Sequence, residues 1–110
     1  MIWNGKETGK WQIPNLNEEE YKKSFDKLVA LGFVFIDDRI KSADEIFARF
    51  EFTYPYIVIG HPGYGGGYGG DFEYSKCKMK LTGISRPNET YTTISVDDWI
   101  ANCWPAYDAA

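Results

Sequence analysis

The chain has 110 residues, 44% hydrophobic and 25% charged, the size and balance of one globular domain rather than of two cores or a disordered polymer. Its net charge of −4 at pH 7 argues against wrapping duplex DNA, which requires a basic face. The longest apolar run, Leu28 to Ile36, is interrupted by Gly32 and falls short of the roughly 18 residues of a membrane helix.

Met1 to Lys6 contain neither a charged leader nor an apolar stretch of signal-peptide length, so a cytoplasmic protein is expected. Met1 to Ile13 reads as two short strands around Asn4-Gly5, a pair suited to a tight hairpin turn. Asn17 then opens a helix. Glu20 sits three residues on, as in a capping box, and Leu16 is placed to staple onto Tyr21. Tyr21, Phe25, Leu28 and Val29 recur at helical spacing and predict a buried stripe. Gly32 ends the helix in the C′ position, and Phe33 to Ile36 follows as a wholly apolar strand.

Ser42 with Glu45 repeats the capping box, predicting a helix from Ala43 to Phe50 with Ile46, Phe47 and Phe50 turned inward. Tyr54 to Ile59 is a further apolar strand, its proline tolerable near the start or on an edge. Strand, helix and strand in this succession imply a parallel pair joined by a β-α-β crossover. The carboxyl ends of the two strands would then share one sheet edge, bringing Asp37, Asp38 and Arg39 toward Gly60 and His61, where ligands of open α/β sheets sit.

From Phe72 to Leu81 the pattern alternates, with Cys77, Met79 and Leu81 on one side and Lys76, Lys78 and Lys80 on the other. Arg86-Pro87-Asn88 is a turn, and Thr90 to Ile94 a β-branched strand. Ser95 caps a last short helix, stapled by Ile94 and Trp99 and stopped by Pro105, so that 105–110 is expected to be a frayed tail. The fold class is therefore α+β in a single domain, 1–110: a small mixed sheet of about three to five strands against two or three helices. Seven Phe, eight Tyr and four Trp exceed what so small a core takes, which predicts that some rings are exposed for binding.

Within Gly60 to Gly70, seven of eleven residues are glycine, and Gly63 to Gly66 and Gly67 to Gly70 repeat Gly-Tyr-Gly-Gly. Ordering glycine costs more backbone entropy than ordering any other residue, so such a connection is expected to be kept for use. The expectation is a flap that closes on a partner through Tyr64 and Tyr68, beside His61. Gly65, Gly67 and Gly70 have dinucleotide-loop spacing, but a strand follows where that fingerprint needs a helix. Lys76, Lys78, Lys80 and Arg86 form a run of four basic residues with no acid between Ser75 and Asn88, leaving −8 on the rest of the chain. The run suits either docking on an acidic surface or protection of a strand edge.

Asp37 and Asp38 are the acids least explained by helix starts; a polar turn before the next helix is the commoner reading, and a Mg²⁺ ion or a sugar the alternative. His61 is the only histidine, and Cys77 and Cys103 are the only cysteines, in no C-x-x-C arrangement. Zinc sites built on several His or Cys are excluded, reduced packing cysteines are expected, and a Cys103–His61 nucleophile has no support in the spacing. Asn88-Glu89-Thr90 fits a glycosylation sequon, with no leader to bring it into use. Catalysis is disfavoured and no cofactor is implied. A protein partner is expected first, a nucleotide-like anion second and single-stranded nucleic acid third, with no membrane.

Val96-Asp97-Asp98-Trp99-Ile100-Ala101-Asn102-Cys103 resembles the closing helix of BRCT domains, where a tryptophan is followed a turn later by a cysteine or small residue. The glycine pair after that family's first helix is absent, Gly32 standing alone, so phosphopeptide binding is not carried over. Tyr21 to Ile59, with the Leu31-Gly32-Phe33 junction and Tyr54-Pro55-Tyr56-Ile57, resembles small accessory proteins of tailed bacteriophages. That resemblance implies a protein that blocks a host factor or sequesters a host signal.

Overall fold

A computed structural model of the chain describes residues 10–35, 37, 39–60 and 80–109. Five strands are present among them: β1 (Lys10–Pro14), β2 (Val34–Phe35), β3 (Tyr56–Gly60), β4 (Lys80–Ile84) and β5 (Thr92–Thr93). Four helices accompany them: α1 (Glu18–Ala30), α2 (Ala43–Phe50), α3 (Val96–Asn102) and α4 (Trp104–Ala109). The strands join in one mixed sheet of order β2-β4-β3-β1-β5. β1 with β3 and β3 with β4 are antiparallel, whereas β2 with β4 and β1 with β5 are parallel.

The strand register sorts the side chains. Trp11 lies opposite Ile59, Ile13 opposite Ile57 and Ile59 opposite Leu81, so these residues share one face. They join Tyr21, Phe25 and Leu28 of α1, Ala43 and Ile46 of α2, and Trp99 of α3 in a single buried cluster. The fold is thus an α+β layering of helices on one side of the sheet, as composition and periodicity predict. Gln12, Val58 and Thr82 align on the other face.

Rings dominate the core. Trp11, Phe33, Trp99 and Trp104 form one chain of contacts with centroids 5.6–6.1 Å apart. Tyr21 meets Phe25, Phe47 and Phe52 in a second, at 5.5–6.3 Å. Edge-on and tilted arrangements recur, as the ring quadrupole favours. Among the described aromatics, Phe50 stands out as exposed, at 42%.

The helix starts follow the predicted side-chain chemistry. Asn17 Oδ1 accepts from Glu20 N at 2.9 Å, Ser42 Oγ from Glu45 N at 3.4 Å and Ser95 Oγ from Asp98 N at 3.2 Å. The two glutamates reach back to Leu16 N (2.9 Å) and Lys41 N (3.0 Å), one residue before the cap. At the end of α1, Gly32 N donates to Val29 O (2.9 Å) and Phe33 N to Leu28 O (3.2 Å). This is the Schellman arrangement, and Gly32 supplies the φ of 106° it needs.

Five expectations are corrected. β2 and β3 are not a parallel pair: β4 lies between them, parallel to β2 and antiparallel to β3, so the strand-helix-strand succession joins strands of opposite direction. Leu16 does not staple onto Tyr21. Its side chain is 84% exposed, while its backbone N–H donates to Glu20. Val29 and Phe50 face outward at 38% and 42% exposure. The Ser95-capped helix does end, at Asn102, ahead of Pro105, but the expected frayed tail is helical through Ala109, and Pro105 does not end the chain's helical path. It sits in the first turn of α4, where its missing N–H removes no helical bond. The strands after Phe33 and Thr90 are also shorter than predicted, at two residues each. The hairpin around Asn4-Gly5 and the stretch from Phe72 to Met79 lie outside the described residues.

Candidate functional site

β3 and β4 are adjacent antiparallel strands whose ladder runs from Tyr56 opposite Ile84 to Ile59 opposite Leu81. Gly60 and Lys80 are therefore the next residues on neighbouring strands, and residues 61–79 join them in sequence. The anchor is firm: β3 is the middle strand of the five, and Ile57, Val58 and Ile59 are each at most 2% exposed. His61, Tyr64, Tyr68, Lys76 and Lys78 belong to this connection and lie outside the described residues. Lys80 opens β4, its backbone in register with Val34.

Asp37 and Arg86 are placed elsewhere. Because β2 runs antiparallel to β3, it begins at the edge where β3 ends, and Asp37 leaves toward the opposite edge. The parallel β2–β3 pair that was expected to bring Asp37 toward Gly60 is thereby corrected, while the glycine segment beyond Gly60 lies outside the described residues. Asp38 is outside the described residues. The Asp37 carboxylate is held by Arg39: Oδ1 accepts from Arg39 N and Nε, both at 3.0 Å, and Oδ2 from Nη2 at 2.8 Å. These bonds hold its pKa down at about 2. A carboxylate already gripped by a guanidinium fork offers a cation little. Among the described residues, no group of three His, Cys, Asp or Glu side chains is gathered to hold a metal.

Arg86 lies two residues beyond the end of β4, so Lys80 and Arg86 occupy opposite ends of one strand and are not a continuous patch. Arg86 lines an open cleft of about 590 Å³ with Tyr54, Gly83, Ile84 and the turn through Thr90. Gln12, a residue given no role by sequence reasoning, fixes this turn from the sheet. Its Nε2 donates to Asn88 O (3.1 Å) and Thr93 Oγ1 (2.8 Å), and its Oε1 accepts from Asn88 N (2.8 Å). The signal was a long amide inside an otherwise apolar strand, 2% exposed here.

Asn15 was equally silent in the sequence. Its Nδ2 donates to Ile13 O (3.2 Å) and Pro55 O (2.9 Å), while its Oδ1 accepts from Ser24 Oγ (2.7 Å), joining β1 to α1 and to the approach to β3. Cys103 is a free, buried thiol whose pKa burial pushes up, the reverse of what a nucleophile needs. The buried amides of Gln12 and Asn15 thus tie together elements of the fold. No model of a known protein family matches the chain, and no curated protein or solved structure matches it.

Proposed function

We propose that the chain is a non-catalytic binding protein that meets its partner through the β3–β4 connection, with Tyr64 and Tyr68 as anchors and Lys76 and Lys78 steering the approach to an acidic protein surface. One observation carries this reading: the connection springs from the innermost strand of the sheet and returns to its neighbour. The glycine- and tyrosine-rich segment thus joins, in sequence, two paired strands at the centre of the sheet. Tyrosine is favoured at such contacts because it covers area while losing few rotamers. The resemblance to phage accessory proteins makes a host protein the partner class of choice, and inhibition of that protein the expected consequence.

The test is capture from bacterial lysate on the immobilised chain, compared quantitatively with a Tyr64→Ala/Tyr68→Ala double variant of matched thermal stability. Partners should fall at least tenfold on the variant. Full retention of every captured protein would remove the connection from the interface.

A further inference from the structure

A second surface lies at the other end of the β1–β3 ladder, where Pro14 is in register with Tyr56. A notch of about 370 Å³ opens there, walled by Pro14, Leu16, Phe52, Pro55 and Tyr56, with Glu20 on its rim. Its most exposed wall is Leu16, whose 84% exposure leaves a whole aliphatic side chain uncovered beside two rings and two prolines.

Several backbone and amide groups around the notch are already committed. Leu16 N donates to Glu20 Oε1, the Asn15 amide is spent on Ile13, Pro55 and Ser24, and Pro14 and Pro55 have no N–H to give. An occupant is therefore selected by apolar contact and not by a backbone ladder. Extended proline-containing segments meet that condition, since they dock on ring-lined grooves without needing their own backbone paired. Charge complementarity supplies the flank. Glu18 and Glu19 are exposed, and neither belongs to an ion pair within the described residues. With Glu20 they set an acidic run next to Leu16.

We propose that this notch binds an extended, proline-containing segment of a partner protein that carries Lys or Arg beside its apolar residues. Gly60 and Lys80, which flank the β3–β4 connection, lie at the opposite end of the sheet from this notch.

A displayed library of random peptides, selected on the full chain and on Leu16→Asp, tests this. Leu16 is exposed enough for the aspartate to leave folding intact, which circular dichroism verifies. Peptides combining proline with a basic flank should be enriched, bind at least tenfold more weakly to Leu16→Asp and to Glu18→Gln/Glu19→Gln, and shift the amide resonances of Asn15, Leu16 and Tyr56. The Tyr64→Ala/Tyr68→Ala variant should bind them unchanged, which separates this site from the proposed function. No enrichment, enrichment of acidic or proline-free peptides, or binding indifferent to Leu16→Asp would each overturn the proposal. So would a solution dimer that Leu16→Asp dissolves, because the occupant would then be a second copy of the chain.

Discussion

Gln12 and Tyr21 bury polar atoms under opposite conditions. The Gln12 amide is bonded at both ends, and Gln12→Leu breaks all three bonds while water reaches the exposed Asn88 turn. A loss of about 1–2 kcal/mol is expected in urea unfolding, with faster amide exchange at Asn88. The Tyr21 hydroxyl is buried with no hydrogen-bond partner among the described residues, and its burial pushes the phenol pKa upward. Tyr21→Phe removes only the unpaired group, so stability should hold or rise by up to about 1 kcal/mol; a clear loss in the same assay would show a partner for that oxygen. Asp37 gives the pH dependence. Its pKa is lowered from 3.8 to about 2 by Arg39, so the contribution of the pair is complete above the unfolded value and fades as pH falls toward about 2. Carboxyl carbon shifts should titrate near 2 in the native chain, and near the ordinary value in Arg39→Gln. None of these three roles was legible in the sequence, because each depends on which residue the fold brings across from another element.

At the scale of elements, Gly83 shows how a strand and a loop constrain each other. It faces the core layer opposite Ile57 in β4, and a Cβ placed there would lie 2.9 Å from Tyr54 Cβ. Neither atom is the far end of a flexible side chain, so Gly83→Ala must move backbone. A cost of about 1–3 kcal/mol is expected by denaturant unfolding, larger than any propensity gain. The helices themselves were readable because their signals are local: Asn17, Ser42 and Ser95 cap where their side chains sit, and Gly32 ends α1 with three neighbours. Leu16 and Pro105 defeated the same local rules. The Leu16 side chain stays exposed though Glu20 reaches back to its backbone N–H, and a proline that ends one helix serves equally inside the first turn of the next. The direction of β2 relative to β3 was not readable, because it is set by β4, whose side chains enter the sheet between them from far along the chain.

For the molecule as a whole, the sheet edge that ends β3 and starts β4 separates two demands on one chain. Among the described residues, the five-strand sheet and its helices are held by rings and by bonded amides. If the Gly-Tyr-Gly-Gly repeat within 61–79 serves binding alone, deleting residues 63–70 shortens the loop between two paired strands and lowers its closure entropy. Stability should then stay level or rise by about 0.5 kcal/mol, while partner capture falls as it does for Tyr64→Ala/Tyr68→Ala. If the repeat instead supports the fold, the deletion variant should melt lower than the parent, and the tyrosines would owe their place to packing. Thermal melting and capture measured on the same deletion variant therefore separate a segment retained for contact from one retained for structure, since only the former uncouples the two readouts.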